Sequence, residues 1–520
     1  MSNFFSLLNS TYSNEHIENT INKEAHIPKI IMNHVGLKIS MSSNKTPNTK
    51  LNIEPIYDEN IILLCYGEIF NSQELFHFMN IKQNTPYNYE IIIHLYRRYG
   101  MEHTLRMIDG YFSFLLLDNN IESENFKLYI ARDSYGIKPL YILHPIQRTN
   151  INSTIYRDES IIGFSTDKHL LFELYKNLNS DYFSKKIENK YYYELKPFLP
   201  GTYSSYILSS KILSSWVIKK ENIKFHMHGY NSIMYSLSSQ YNNKNIVKNI
   251  QLNLIHSIEK RCNLYGPNQY ACFLNGKIQN NILAGIINQF HLFNNYPILK
   301  TYSIVIKDSI ELENARKTAE YLKTEHTEYN ITNDFFLKEF IESNMDLECY
   351  NEFNIDNTKY TDLIHQLLIG RYIKNKEIKY IFNGNGANEI FGSSEYMIEP
   401  IQYDLNVRNS IEKIFLNDLF ISDISFYYNG FIPCSPFLDR SFVEYYLSIP
   451  PQIRFEISKI NVDYFENEFE KKKVIKETDR QIIKERLKEI DKYFLRLAFS
   501  GKYYKNIENN PLLPVDIIWS

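Results

Sequence analysis

Glycine and cysteine are scarce in this sequence, and it has no long apolar run. Only 17 of the 520 residues are Gly, about half the usual share. The five cysteines form no C-x-x-C pair, which argues against a zinc site and against a disulfide framework. No apolar stretch is long enough to span a bilayer, and the first residues lack the basic flank of a signal peptide. We therefore expect a soluble, cytoplasmic protein.

The charge balance gives no sign of a polyanionic partner. The net charge is -3 at pH 7 and the pI is about 6.6, so we expect neither nucleic acid nor a membrane surface as partner. With 44% hydrophobic and 15% aromatic residues, the chain can bury large cores, and its length predicts two or three domains. The abundant Tyr, Phe, Asn, Ile and Lys share A+T-rich codons, a bias that also converts Asp codons into Asn codons.

Strand-like apolar runs dominate the first half of the chain. They lie at residues 61–65, 111–118, 127–131 and 161–165, and one amphipathic helix is predicted over 89–99. This pattern predicts a layered α+β domain of mainly antiparallel sheets.

In the second half, after a polar stretch at 230–245, the order of the predicted elements changes. The predicted strands and helices now alternate, which favours βαβ crossovers and a parallel sheet. In chain order they are strand 271–274, helix 281–291, strand 301–306, helix 312–323, strand 328–331, helix 359–374 and strand 379–382.

The strongest motif is the segment 131–141, Ala-Arg-Asp-Ser-Tyr-Gly-Ile-Lys-Pro-Leu-Tyr. Its pattern is typical of a strand that ends in a tight glycine turn before a second strand. Further segments are Tyr-Gly-Glu-Ile-Phe-Asn at 66–71, Pro-Gly-Thr-Tyr at 200–203, Ile-Phe-Gly at 390–392 and Ser-Pro-Phe-Leu-Asp at 435–439. Taken in this order, these segments resemble the motifs of the glutamine-hydrolysing asparagine synthetase family.

The resemblance extends to about residue 455 and implies a fold and a domain division. It implies an α+β antiparallel-sheet sandwich of the N-terminal nucleophile type, followed by an α/β parallel-sheet domain of the ATP-pyrophosphatase type. We accordingly predict a class II glutamine amidotransferase-like domain over 1–210, a connection over 211–245 and an asparagine synthetase-like domain over 246–520. Family analogy also implies a homodimer.

The glutaminase reaction of the family uses an N-terminal Cys thiolate, with its own α-amine as base. That position falls on Ser2, whose hydroxyl can also act as a nucleophile, so Ser2 alone leaves hydrolysis open. The oxyanion-hole Asn falls on Tyr66, the glutamine-binding Arg on Gly36, and the Asp that holds the substrate amine on Asn88. Because the loss of one oxyanion donor costs about 10²- to 10³-fold in rate, we expect no intact glutaminase site.

The family binds the pyrophosphate of ATP with a loop of small residues, whose backbone N–H groups and following helix surround the phosphates. The matching segment is 275–281, Asn-Gly-Lys-Ile-Gln-Asn-Asn. Lys277 adds a side chain where the backbone approaches the nucleotide, although its ammonium group can also neutralise a phosphate. Gln279 replaces an acid that faces Mg²⁺. We favour a solvated loop here.

A second loop, Asn-Gly-Asn-Gly-Ala-Asn at 383–388, completes the ATP site of the family. Asn385 stands where the family has a carboxylate for proton transfer during ammonia attack, a role worth about 10²- to 10⁴-fold in rate. Asn388 stands where it has an acid, although Mg²⁺ bound with ATP usually takes one or two carboxylates. Of the acids in this motif, only Glu389 remains.

Two flanking segments differ from the family in the same direction. In 302–305, Val305 stands where Gly admits the nucleotide, and in 348–351, Asn351 replaces a further acid. We expect no intact metal site, and we predict that a vestige of the nucleotide site remains. Its residues are Asn275, Gly276, Lys277, Gln279, Asn280, Asn281, Ile304, Asn383, Gly384 and Asn388.

Three functional hypotheses follow. The first is a catalytically degenerate homologue with a structural or regulatory role, which requires no cofactor. The second is an active synthetase that uses ATP and Mg²⁺ to make asparagine, AMP and pyrophosphate from aspartate and glutamine or ammonia. The third is a sensor that binds a nucleotide or an amino acid without turnover. Since A+T drift does not explain Gly36, Tyr66 or Val305, we favour the first.

Overall fold

The chain forms two compact units, the first ending at residue 227 and the second beginning at residue 228. In the described residues, no helix is long and apolar enough to cross a bilayer. The structure is a computed structural model, which describes residues 2–9, 26–34, 37–44, 54–120, 125–146, 160–184, 192–209, 216–227, 243–305, 310–330, 366–368, 370–373, 375, 377–392, 400–427, 429–455, 492–506 and 508–519.

The N-terminal unit consists of two antiparallel sheets with flanking helices. Its strands are β1 (Ser2–Leu8), β2 (His26–His34), β3 (Leu37–Asn44), β4 (Ile56–Asp58), β5 (Ile61–Ile69), β6 (Gly110–Asn120), β7 (Asn125–Arg132), β8 (Tyr141–Ile146), β9 (Ile162–Ser165), β10 (Tyr192–Pro197), β11 (Thr202–Ser209) and β12 (Trp216–Lys224). Its helices are α1 (Ser72–Met79), α2 (Ile91–Met107) and α3 (Lys168–Ser184). The strand orders are β10-β8-β9-β1-β3-β2 in the first sheet and β12-β11-β7-β6-β5-β4 in the second.

The two sheets pack face to face around a shared apolar core. Phe4 and Ile39 come from the first sheet, and Leu115 and Leu128 come from the second. These side chains are almost completely buried, and each one stabilises the fold by about 1.5–3 kcal/mol relative to exposure. This arrangement confirms the predicted antiparallel-sheet sandwich.

Helices cover the outer faces of the sandwich. Leu75 of α1 and Ile92 of α2 belong to a core cluster on the second sheet. On the first sheet, a Cβ added at Gly163 would lie 2.7 Å from Cδ2 of Leu171 on α3. The absence of a side chain at residue 163 therefore allows α3 to pack directly on β9.

The motif 131–141 forms the turn that joins β7 to β8. The carboxylate of Asp133 accepts hydrogen bonds from the backbone N–H groups of Tyr135, Ile137 and Lys138, at 3.1, 3.0 and 2.9 Å respectively. Gly136 has a φ of 71°, in the left-handed region that Gly adopts at little cost. The predicted glycine turn is confirmed, and its acid serves the backbone of the turn.

Strand β12 lies within the segment 211–245, which we had assigned to the connection. It pairs antiparallel with β11 at the edge of the second sheet, and the N-terminal unit accordingly extends to residue 227. Its polar sequence Trp-Val-Ile-Lys-Lys-Glu-Asn-Ile-Lys is typical of an edge strand, because charged residues there discourage pairing with other chains. Assigning the whole segment to a connection was therefore wrong.

The C-terminal unit contains one parallel sheet, in the order β15-β14-β13-β16-β17. Its strands are β13 (Tyr270–Phe273), β14 (Lys300–Val305), β15 (Glu325–Asn330), β16 (Tyr380–Phe382) and β17 (Ile432–Cys434). Its helices are α4 (Asn243–Leu264), α5 (Ile278–Phe293), α6 (Ile310–Leu322), α7 (Ala387–Phe391), α8 (Pro400–Lys413), α9 (Asp418–Tyr427), α10 (Arg440–Ser448), α11 (Tyr493–Phe499) and α12 (Val515–Ile518).

The predicted alternation of strands and helices is confirmed from β13 to β15 and again at β16. On one face of the sheet, Ala271, Tyr302 and Ile381 share a core cluster with Phe426 of α9. Only part of the predicted helix 359–374 falls within the described residues, where 366–368 and 370–372 are helical.

Candidate functional site

Two loops lie at the carboxyl edge of the parallel sheet, after neighbouring strands. The first loop, residues 274–277, joins β13 to α5, and the second, residues 383–386, joins β16 to α7. The second loop contacts the first turn of α5, because a Cβ added at Gly384 would lie 2.3 Å from Cγ of Gln279 and 2.7 Å from Oδ1 of Asn280. The structure thus brings the two predicted motif segments together at the edge where open α/β sheets bind ligands.

The amide side chains of the first loop bind the loop itself. Asn275 Oδ1 accepts hydrogen bonds from the Lys277 backbone N–H at 3.1 Å and from Asn280 Nδ2 at 2.6 Å. Asn281 Nδ2 donates to the carbonyl oxygen of Gly276 at 3.0 Å. A backbone N–H that could face an anion at residue 277 is therefore already engaged by Asn275, while the Lys277 side chain is exposed.

Gly276 lies against the start of α6. Its φ is 80°, and a Cβ added there would lie 1.6 Å from the carbonyl oxygen of Glu311. Only glycine fits at this position, since any side chain would overlap the backbone of α6. The glycine that resembles the phosphate-loop glycine of the family thus has a packing role here.

Asn383 is the central residue of the second loop. It is almost completely buried; its Nδ2 donates to Ser422 Oγ at 3.1 Å, and its Oδ1 accepts from Ser435 Oγ at 2.9 Å and from the Asn385 N–H at 3.3 Å. Both ends of the Asn383 amide are therefore used in joining the loop to α9 and to the residue after β17. Asn385 is half-buried and Asn388, on α7, is exposed.

Ile304 lies on β14, next to β13 in the sheet. It is half-buried and packs against the same cluster as Tyr302, whose ring stacks on Tyr329 with centroids 6.3 Å apart. Burial raises the pKa of Tyr302 to about 12, so the phenol stays neutral. The backbone of Val305 ends β14. The segment 302–305, which we predicted to flank the nucleotide, therefore contributes Tyr302 and Ile304 to a packed aromatic and aliphatic surface.

His326 lies on the other face of this part of the sheet. Its Nδ1 lies 2.9 Å from Thr301 Oγ1, and its Nε2 lies 3.3 Å from Ser303 Oγ. Burial lowers the pKa of His326 even though the neighbouring Glu328 opposes the shift. The imidazole is thus neutral at pH 7 and does not offer a positive charge to a phosphate.

The N-terminal unit carries a second set of predicted site residues. Tyr66 on β5 is buried, and Nζ of Lys138 lies 4.7 Å from the centre of its ring. Lys138 is buried as well. A cation over an aromatic face is attracted by the ring quadrupole, so Tyr66 and Lys138 form a packed pair where the resemblance places an oxyanion hole.

Asn88 also has a structural partner. Its Oδ1 accepts the backbone N–H of Ile69 at 3.2 Å, which connects residue 88 to the end of β5. Ser2 begins β1, where it pairs with Ser43 of β3, while Gly36 and the segment 348–351 lie outside the described residues. Of the predicted glutaminase residues, Tyr66 therefore belongs to β5, and Asn88 forms a hydrogen bond with the end of that strand.

Cys65, the cysteine among the described residues of the N-terminal unit, does not replace the family nucleophile. Cys65 is fully buried on β5, and burial raises the pKa of its thiol, with the nearby Glu68 adding to the shift. Only the thiolate is an effective nucleophile. Cys65 is therefore inert at neutral pH.

Comparison with known proteins finds a matching family model for each half of the chain. A glutamine amidotransferase domain model matches residues 42–156, and an asparagine synthase model matches residues 253–420. The glutamine-hydrolysing asparagine synthetase of Gallus gallus is 28% identical over 466 residues, which cover 88% of this chain and 70% of the relative. The chain belongs to the glutamine-hydrolysing asparagine synthetase family. Other members at similar distance are those of Rattus norvegicus, 28% identical over 78% of this chain and 68% of the relative, and Homo sapiens, 27% identical over 79% and 69%.

In this asparagine synthetase homologue, the two segments that resemble the family loops lie at the carboxyl edge of the sheet and contain amides. In the described residues, no group of three or more His, Cys, Asp or Glu side chains is arranged to hold a metal ion. Of the residues at 275–281 and 383–389, Glu389 is the sole carboxylate, and it is half-buried on α7.

Sequence reasoning missed the residues that hold the amides and the tyrosine in place. Ser422 and Ser435 bind Asn383, and Lys138 covers Tyr66. Ser435 and Lys138 lie inside motifs that were recognised, so their positions were a usable signal. Ser422 lies in α9 without any motif, and only the packing of α9 beside β16 reveals it.

Proposed function

We propose that this asparagine synthetase homologue is catalytically degenerate in both half-reactions and has a structural or regulatory role. The observation that carries the proposal is the hydrogen bonding of Asn275 and Asn383. Both amides are engaged by their own loop and its neighbours, in the two segments where the family reaction requires an open phosphate loop and acids. A residue that stabilises its own loop in this way has a structural use that selection can retain without catalysis.

The donor set supports the synthetase part of the proposal. Mg²⁺ that is bound with ATP phosphates prefers one or two carboxylates in nearly octahedral geometry. Here the segments 275–281 and 383–388 offer amide oxygens and Lys277 in place of acids. These residues do not fit a magnesium polyphosphate, so we propose that ATP and Mg²⁺ are not resident cofactors.

The Tyr66 and Lys138 pair supports the glutaminase part. An oxyanion hole requires donors that point at the developing charge, whereas Tyr66 presents its ring to Lys138. The side-chain oxygen of Asn88 accepts a hydrogen bond from the Ile69 backbone N–H. A neutral amide also lacks the negative charge that holds a substrate ammonium group. The homodimer and the cytoplasmic location remain predictions.

The proposal is tested by turnover with aspartate and ATP. We expect no pyrophosphate exchange into ATP and no asparagine above the enzyme-free blank, with either glutamine or ammonium as nitrogen donor. Glutamine hydrolysis, assayed separately as glutamate release, should also be at blank level. The asparagine synthetase of Gallus gallus serves as the positive control under the same Mg²⁺ concentration.

One result would contradict the proposal. If the chain catalyses Mg²⁺-dependent exchange, and if Asn388→Ala or Lys277→Ala abolishes this activity while leaving the melting temperature unchanged, the active synthetase is the correct reading. Both side chains are exposed, so neither substitution removes core packing. Activity that survives both substitutions would instead indicate a contaminating enzyme.

A further inference from the structure

In the C-terminal unit, the loop 383–386 contacts side chains in the first turn of α5. Gln279 and Asn280 lie in the first turn of α5 and are almost completely buried. A Cβ added at Gly384 would lie 2.3 Å from Cγ and 3.1 Å from Cβ of Gln279, and 2.7 Å from Oδ1 of Asn280. The backbone of the second loop therefore rests directly on these two side chains.

The location of this contact gives it a consequence for ligands. Anions bind at the start of such a helix when the backbone N–H groups and the positive end of the helix dipole are accessible. Here the first turn of α5 is covered at Gln279 and Asn280 by Gly384. The backbone of Gly384 and the side chains of Gln279 and Asn280 therefore cover one side of the helix start.

The chemistry of Asn280 adds to the steric effect. Its Oδ1 is buried, and in the described part of the chain no donor lies within hydrogen-bond distance of it. The same holds for Oδ1 of Asn281. Two amide oxygens with negative partial charge at the helix start repel a phosphate oxygen, whereas hydroxyl groups could rotate to donate to it.

We propose that Gln279 is the residue that excludes polyphosphate ligands, by filling the gap between the two loops with its own side chain. This inference rests on the proposed function and deepens it, because it assigns the steric part of the loss of nucleotide binding to one removable side chain. It implies that binding and turnover were lost through separate residues. Truncating Gln279 opens the gap, whereas the amides at residues 385 and 388 still prevent chemistry.

The first test measures ligand binding by thermal shift. Gln279→Ala is expected to gain a rise in melting temperature of roughly 5 °C at ligand concentrations far above the Kd, with MgATP and with inorganic pyrophosphate as separate probes. The unmodified chain and Gln289→Ala are expected to shift by less than about 1 °C. Gln289 lies on the same helix, about three turns further along, and is the matched control.

The second test measures the contact itself, without a ligand. Gly384→Ala is expected to lower the melting temperature by roughly 3–8 °C in the unmodified chain, because the new methyl group overlaps Gln279. In the Gln279→Ala background the same substitution should cost clearly less, since Cγ is gone. The backbone of Gly384 is not in the left-handed region, so the cost reports crowding and not backbone strain.

The outcomes separate this inference from the proposed function. Binding of MgATP by the unmodified chain without turnover, or additive effects of Gly384→Ala and Gln279→Ala, would overturn the role of Gln279 but leave the degenerate enzyme intact. Turnover by the unmodified chain would overturn the proposed function. If Gln279→Ala fails to fold, Gln279→Ser carries the same binding test, because it also removes Cγ, and a folded variant that gains no binding overturns the inference.

Discussion

Replacing Asp439 by Asn is expected to lower the free energy of unfolding of the C-terminal unit by about 3–5 kcal/mol. Asp439 is fully buried and pairs with Lys260 and with Nη1 of Arg261, the latter at 3.0 Å. The Arg261 side chain has no exposed surface. Removing the carboxylate charge leaves Arg261 buried without its counter-charge, which costs more than the pair itself contributes.

The only two tryptophans allow the two units to be followed separately. Trp519 lies in the C-terminal unit, so guanidinium unfolding of Asp439→Asn is followed by its fluorescence in a Trp216→Phe background. The control is Glu444→Gln on α10, the helix that follows Asp439; its pair with Arg440 is exposed and should contribute less than about 1 kcal/mol. Equal losses for the two variants would contradict a buried, charge-dependent role for Asp439.

The pH dependence gives an independent check on Asp439. Burial alone would raise the pKa of this carboxyl, but the charges of Arg261 and Lys260 hold it below its usual value. A depressed pKa means that the stabilisation is fully present above the unfolded pKa of about 4 and is lost as the pH falls through the folded pKa. The stability difference between the unmodified chain and Asp439→Asn should therefore shrink below about pH 4.

Replacing Arg132 by Ala is expected to lower the free energy of unfolding of the N-terminal unit by about 3–5 kcal/mol. The guanidinium group is buried and donates to the carbonyl oxygens of Lys138, Phe198 and Gly136, at 2.7, 2.7 and 2.9 Å. These bonds tie the turn 133–140 to the segment that follows β10. The carbonyl oxygen of Lys138 keeps the Ser113 hydroxyl as a donor at 3.1 Å, but the carbonyl oxygens of Phe198 and Gly136 lose the Arg132 donor. Each buried acceptor that loses its donor costs about 1–3 kcal/mol.

Fluorescence of Trp216 reports this loss in a Trp519→Phe background, because Trp216 is buried in the core between the two sheets. Arg106→Ala is the matched control, since Arg106 pairs with Glu102 on an exposed helix face and should change the stability by at most about 0.5 kcal/mol. Arg132→Lys should recover only part of the loss, because an ammonium group lacks the planar fork that reaches several carbonyls. Full recovery by Lys would show that charge alone matters at residue 132.

The Arg132 result also bears on why the motif 131–141 is intact in this chain. Arg132 and Asp133 both bind backbone groups of the turn, so selection for a stable fold is sufficient to retain them. Tyr66 and Asn88, which we predicted to differ from the family pattern, contact Lys138 and the backbone N–H of Ile69, respectively. A motif can thus identify the fold without implying the reaction.

The elements that were predictable from sequence are those with a strong local signal. Short apolar runs separated by segments of helical periodicity predict β13, α5, β14 and α6, because each element buries one continuous face. Strand β12 was missed, since its Lys-rich sequence resembles a loop and it has a single strand neighbour, β11. Its pairing depends on an edge that exists only after the second sheet has formed.

By itself, the sequence determined the family, the order of the two fold types, and the presence of amides in the segments 275–281 and 383–388, because these depend on residue type and spacing. The use of those amides was decided by the tertiary structure. The sheet brings Gln279 and Gly384 into contact, and it brings Ser422 and Ser435 to Asn383. These residues are far apart in the chain and meet only because β13, β16 and β17 lie side by side.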